Sequence, residues 1–204
     1  SDGQPVTAQQ YVDGLKRLLA PDTATDYGFL LFDIVGAEEY NAGTAPDVSG
    51  LVAVNDTTLQ ITLNAPAVYY PAILSDPGMI PARMDIIAQY GDAWTSPQTV
   101  VGNGPYTLLE HDRGHLLLAK NAFYYDAANV AFAQIGFDII PDQNEQFEAY
   151  KRVNVDVLID APQAALDDPN FVLEREFSDA PGIFFLGLNT QRAPTDDPKV
   201  RKAL

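Results

Sequence analysis

The residues that could do chemistry come first. His111 and His115 are the two histidines of the chain, and they flank Asp112-Arg113-Gly114. As partners across a hairpin they could share a cation. Zinc sites draw three or four ligands from Cys, His and carboxylates, and here there is no cysteine and no evident third ligand. An exposed hairpin is the competing reading, and no metal is expected. Asp156 and Asp160 could form a hydrolase-type carboxylate pair, but among 28 acidic residues some neighbours arise by chance. Neither a Gly-x-Ser-x-Gly elbow nor a His-Glu-x-x-His motif is present. Gly102-Asn103-Gly104-Pro105-Tyr106 is glycine-rich, yet it lacks the Lys-Ser/Thr of a phosphate loop and leads into a strand, so it reads as a turn. The chemistry expected is binding rather than catalysis, with no catalytic residue and no cofactor.

The bulk properties agree with that reading. The formal net charge is −16, spread along the chain. A phosphate backbone needs Lys and Arg to displace its counterions, so nucleic acid is excluded as a partner, and anionic membrane surfaces are disfavoured in the same way. Acidity of this kind fits solubility and favours neutral or cationic ligands. Apolar residues make up 47% of the 204, enough for a globular core. No apolar run reaches the length of a membrane-spanning helix. Ser1-Asp2-Gly3-Gln4 has neither the basic nor the apolar region of a targeting signal. Without cysteine the redox compartment stays open.

The elements that must position any site follow from periodicity. Thr7 and Gln10 have capping-box spacing, and Tyr11, Val12, Leu15, Leu18 and Leu19 recur at helical intervals up to Pro21. A second helix is expected over 25–35 with Tyr27, Leu30, Leu31 and Ile34 on its apolar face, and a short third over 36–41. Residues 51–54 and 59–63 alternate about Asn55-Asp56 and predict a hairpin. Short helices follow at 68–74 and 84–90. From Gly102 strands dominate: 106–110 and 116–120 as a hairpin, then 135–140. A helix over 144–152, with Phe147 and Tyr150 inward, leads to a buried strand at 155–159. A helical turn follows Pro162; strands are expected at 171–177 and 183–188, and a helix opens at 200. The mixture is α/β or α+β, with a composition shift between Gly91 and Gly104. A chain ending on a helix start, with no capping glycine behind it, is expected to be truncated.

Six ordered motifs, covering essentially the whole chain, resemble bacterial extracellular solute-binding proteins of the oligopeptide and dipeptide type. They are Pro5-Val6-Thr7-Ala8-Gln9-Gln10-Tyr11-Val12 with its continuation to Tyr27; Gly91-Asp92-Ala93-Trp94-Thr95; Gly102 to Tyr106; Lys120-Asn121-Ala122-Phe123-Tyr124-Tyr125; Asn154-Val155-Asp156-Val157; and Leu188-Asn189-Thr190-Gln191-Arg192-Ala193-Pro194 running into Asp197-Pro198-Lys199-Val200-Arg201. Asn154 and Tyr125 depart from the family pattern, both within structural motifs.

The resemblance implies a type II periplasmic-binding-protein fold whose two lobes close on a ligand. It implies a small helix-plus-hairpin subdomain of lobe one at 1–95, a strand-rich segment of lobe one at 96–190, and the start of lobe two at 191–204. The implied partners are an oligopeptide or similar small solute and the permease subunits of an ABC importer. The full-length form is expected to be monomeric and extracytoplasmic, in the periplasm or lipid-anchored. Relatives also take nickel chelates and oligosaccharides, so the solute stays open, as does a sensory or scaffold role. Tyr27 stands where the family places a ligand-contacting tyrosine; the other reading makes it a core aromatic. Ile159, Asp160 and Ala161 correspond to a cleft-lining loop, with Asp160 either pairing with a ligand amine or capping the next turn. Phe185 and Gly187 share one strand face toward the cleft. Gly187 either widens the pocket or marks a bulge. Trp94 reads as a packed anchor.

Overall fold

A computed structural model describes residues 2–23, 25–177 and 185–204. The chain divides into two compact units, Ser1–Ile140 and Pro141–Leu204.

The first unit begins with α1 (Ala8–Leu19). Thr7 accepts from the Gln10 backbone N–H, and the Gln10 side chain accepts from the Thr7 N–H, closing the capping box that the sequence predicts. Val12, Leu15 and Leu19 lie on one face and are buried. That face packs on the antiparallel hairpin of β1 (Leu51–Asn55) and β2 (Thr58–Ile61), paired Leu51 to Ile61. The Ala8 N–H donates to the Asp56 carbonyl at 2.8 Å, so the hairpin turn seats the helix start. Leu31, Ile34, Ala37, Val48, Leu51, Tyr70 and Met79 complete one core. Full burial of each large aliphatic side chain contributes about 1.5–3 kcal/mol.

The helix expected over 25–35 does not form. A 3₁₀ turn at Gly28–Leu31 replaces it, because the segment is recruited as a strand partner. Ile34 bridges Leu63, the Val35 N–H donates to Thr62, and the Asn64 N–H donates to the Asp33 carbonyl. A continuous helix would commit those groups to i−4 bonds. Leu31 and Ile34 are still buried, while Tyr27, placed inward by the helical reading, is 58% exposed. Helix α2 (Ala37–Asn41) follows Gly36, which holds φ 80° in the left-handed region that glycine tolerates.

Helices α3 (Tyr70–Ile73) and α4 (Met84–Tyr90) fall where expected. Tyr70 is buried, its hydroxyl without a partner among the described residues, and burial pushes that phenol up to about 12. Arg83, at the entry to α4, holds Asp85 in a bidentate grip, Nε to Oδ1 at 2.8 Å and Nη2 to Oδ2 at 2.7 Å; Nη1 reaches Asp2 at 2.5 Å. The guanidinium holds Asp85 down to about 2, and it lowers Asp2 as well. A carboxylate depressed in the folded state supplies stability above its unfolded value near 3.8 and loses it as pH falls toward the folded one. Arg83→Ala is therefore expected to flatten the acid limb of the stability profile between roughly pH 4 and pH 2, as read by urea midpoints across pH. An unchanged acid limb would show that the grip contributes nothing.

Beyond a 3₁₀ turn at Gly91–Thr95, three strands form a meander: β3 (Tyr106–His111), β4 (His115–Lys120) and β5 (Gln134–Asp138), all antiparallel in the order β3-β4-β5. Asn121, at 2% exposure, is the buried polar residue that ties the sheet end. Its Nδ2 donates to the Gly104 carbonyl at 2.8 Å, its Oδ1 accepts from the Phe123 N–H at 3.0 Å, and its own N–H donates to the Pro105 carbonyl. This links two of the sequence motifs. Asn121→Ala leaves the Gly104 carbonyl and the Phe123 N–H without their partner and is expected to cost about 1–3 kcal/mol in chemical denaturation.

The second unit holds α5 (Gln143–Lys151), α6 (Gln163–Asp167) and α7 (Pro198–Ala203). Two expected strands are absent. Residues 155–159 lack regular structure, so the strand–helix–strand unit is not formed, and 171–177 fall largely in a 3₁₀ helix at Pro169–Glu174. A strand exists only through a partner ladder, and the described residues supply none here. Of the expected strand at 183–188, residues 183 and 184 lie outside the described residues, and 185–188 carry no strand.

Candidate functional site

In the second unit, local capping builds the walls of a cavity. Asp142 accepts from the Asn144 and Glu145 N–H groups, both at 2.9 Å, and starts α5. The helix presents Phe147, which is buried, and Tyr150 one turn on. The ammonium of Lys151 sits 4.8 Å from the Phe147 ring centroid. The chain leaves α5 through Val153 at φ 58°, a left-handed conformation disfavoured for a β-branched residue. The Val153 and Asn154 N–H groups close the turn onto the Tyr150 and Ala149 carbonyls.

Residues 155–161 then run back to Pro162, which precedes α6. Asp168 accepts from the Asn170 N–H at 3.0 Å and starts the Pro169–Glu174 turn. That turn delivers Phe171 edge-on to Phe147, centroids 5.4 Å apart at 76°, and tilted against Tyr150 at 5.7 Å. Such ring pairs add about 0.5–1.5 kcal/mol beyond area burial. The Tyr150 hydroxyl donates to Glu174 Oε2, and this carboxylate holds the phenol above its usual range.

Between these walls lies a cavity of about 590 Å³, widely open to solvent on one side. Phe147, Tyr150 and Phe171 line it, together with Asp156, Arg175 and the loop of Ile159, Asp160 and Ala161. The structure thus brings three of the sequence-derived candidates to one cavity. Asp160 takes φ 55°, a conformation Asp tolerates better than most residues. It does not cap the following turn, since α6 has no side-chain cap bond. The capping reading is withdrawn, and Asp160 is one of the residues lining the cavity.

The other candidates are not among the residues that line this cavity. Tyr27 belongs to the first unit, its backbone N–H held by Thr25 Oγ1 at 3.2 Å. Phe185 is 85% exposed, and a side chain at Gly187 would meet nothing within 4 Å among the described residues. Asp156 and Asp160 both line the cavity. His115 Nδ1 lies 2.9 Å from Asp138 Oδ1, while His111 is in register with Leu116. No group of three His, Cys, Asp or Glu among the described residues is placed to hold a metal ion. Trp94 stacks under the Arg17 guanidinium, 5.5 Å from its ring centroid.

Phe171, Glu174 and Arg175 were missed as site residues because a strand reading gives them no common face with Phe147. The available signal was Glu174-Arg175-Glu176, a lone cation between acids beside an aromatic.

The description "Bacterial extracellular solute-binding proteins, family 5 Middle" matches residues 1–204. The chain belongs to that family. It is 29% identical over 216 residues to the periplasmic oligopeptide-binding protein OppA of Escherichia coli (strain K12), covering all of this chain and 39% of OppA. It is 28% identical over 209 residues to the dipeptide-binding protein DppE of Bacillus subtilis (strain 168), again over all of this chain and 38% of that one. The solved Escherichia coli murein tripeptide binding protein MppA superposes with a TM-score of 0.84 at 29% identity, over 98% of this chain and 40% of MppA. The fold is therefore the mixed α/β architecture of type II periplasmic binding proteins, and this family 5 chain spans about two fifths of the length of such relatives. Among the described residues no helix is long and apolar enough to cross a membrane.

Proposed function

We propose that this family 5 chain is part of an extracytoplasmic solute-binding protein that captures oligopeptides and hands them to the permease subunits of an ABC importer, without catalysing a reaction. The observation that carries the reading is the family match over the entire chain, to relatives named for oligopeptides, dipeptides and a murein tripeptide. The cavity supports it: aromatic walls suit side chains, and the Asp160 carboxylate suits an amine. Tyr27, Phe185 and Gly187 are proposed as further contacts. The division into 1–95, 96–190 and 191–204 is likewise proposed as the lobe map, and a monomer held in the periplasm or by a lipid anchor as the working state.

The test is thermal stabilisation of the full polypeptide that carries these residues. A ligand bound only by the native state stabilises by mass action, about 2.7 kcal/mol at a hundredfold excess over Kd, and an upward shift with a peptide library is expected. A shift with oligosaccharides or a nickel chelate, and none with peptides, would transfer the proposal to that solute. Residues 1–204 alone are expected to bind the same peptides at least about a hundredfold more weakly in calorimetry, since one cleft wall cannot bury most of a ligand.

A further inference from the structure

The glycine-rich turn at Gly102 to Tyr106 carries a chemistry that solute binding does not use. Asparagine is among the thermally labile residues, because the backbone nitrogen of the next residue can attack its side-chain amide. That attack needs a free amide, a free nitrogen and a clear approach. Asn41, Asn64 and Asn121 donate their side-chain amides to the carbonyls of Leu19, Phe32 and Gly104. Asn55 and Asn189 are held through Oδ1 by the N–H two residues on.

Asn103 meets all the conditions. It is the asparagine that a glycine follows, it is exposed, and it lies in no regular element. Among the described residues neither its side chain nor the Gly104 N–H has a hydrogen-bond partner. Gly104 has no Cβ to restrict the approach, and nothing described lies within 4 Å of where one would stand.

We propose that Asn103 is a self-modification site, at which the Gly104 nitrogen closes a succinimide ring and water reopens it to isoaspartate or aspartate. The nitrogen gives up its proton to solvent base and bonds to Asn103 Cγ; the Cγ–Nδ2 bond breaks and Nδ2 leaves as ammonia. Water then adds to either ring carbonyl. Breaking the nitrogen's bond to Cγ restores a normal backbone with an aspartate side chain. Breaking its bond to the other carbonyl leaves the chain running through the side chain, as isoaspartate. The Gly104 carbonyl accepts from Asn121 Nδ2 at 2.8 Å, the contact that ties the end of the sheet. Isoaspartate lengthens the backbone by a carbon just before that residue, so the modification pulls on the tie.

Incubation of the full polypeptide at mildly alkaline pH, followed by peptide mapping with mass spectrometry, tests the site. Loss of the amide is expected at Asn103 ahead of the other asparagines named above, and faster as pH rises. Gly104→Ala is expected to slow it at least about tenfold, because a Cβ narrows the backbone conformations and the approach that glycine leaves open. Hydrogen exchange at the Phe123 N–H, which Asn121 Oδ1 holds, is expected to quicken in the isoaspartyl form. In Asn103→Asp, where the charge changes and the backbone length does not, it should stay within about twofold of the parent. An Asn103 that keeps its amide in the folded protein while the denatured chain loses it would overturn the proposal, as would loss at an equal rate in Gly104→Ala. Unchanged exchange at Phe123 in the isoaspartyl form would overturn the coupling to the sheet.

Discussion

Phe147→Ala is expected to destabilise the second unit by about 3–5 kcal/mol, the range for removing a buried aromatic ring. Phe147 is the large buried side chain of that unit's described residues. It meets the edge of Phe171 and lies under Lys151, so truncation removes the contacts that hold α5 against the Pro169–Glu174 turn. A unit of 64 residues, Pro141–Leu204, has a small core and little surplus stability. Hydrogen exchange across α5 should therefore rise by orders of magnitude, and solute binding should fall with it. Phe147→Leu, which keeps apolar volume, should recover much of both. Exchange in the Ala variant that matches the parent would show that the aromatic wall is not what organises the cavity.

Gly50→Val carries the second large effect, in the first unit. A Cβ at Gly50 would lie 2.7 Å from Ile34 Cγ2, 2.7 Å from the Thr62 carbonyl oxygen and 2.8 Å from the Val35 nitrogen. Two of these atoms are backbone and the third belongs to a fully buried side chain, so none can swing aside. The Gly50 N–H donates to Val35 at 2.8 Å, and its carbonyl accepts from Thr62 at 2.8 Å, which holds three chain segments at this point. Overpacking of this kind costs about 3 kcal/mol or more for a branched side chain against backbone. Gly104→Ala is the control: nothing lies within 4 Å of its added Cβ, and a change within about 0.5 kcal/mol is expected. Urea denaturation of both variants decides the matter, and equal midpoints would refute the close-packing argument.

Legibility in the sequence tracked how local each determinant was. The capping box at Thr7 and Gln10, the apolar face of Val12, Leu15 and Leu19, and the hairpin about Asn55-Asp56 were all readable, since each depends on residues a few positions apart. The β3-β4 hairpin was readable for the same reason. Asp112 accepts from the Gly114 and His115 N–H groups, both at 2.8 Å, and turns the chain by itself. The segment at 25–35 was misread because the Val35 N–H donates to the Thr62 carbonyl and the Asp33 carbonyl accepts from the Asn64 N–H, about thirty residues away. No local pattern reports those bonds.

For the candidate site the division is the same. Ile159, Asp160 and Ala161 were named from a resemblance carried by ordered motifs, and they line the cavity. Phe171 and Arg175 were not, because a period-2 reading of 171–177 made them strand residues, whereas the Asp168 cap winds them into a 3₁₀ turn against α5.

The amino-acid sequence by itself determined the family, the mixed α/β class and the expectation of binding rather than catalysis, through short motifs whose order along the chain survives any error in a single element. Only the tertiary structure decided which extended-looking segments become strands and which residues share the cavity. A strand requires a hydrogen-bonding partner, and a cavity requires walls from distant positions; both are relations between segments.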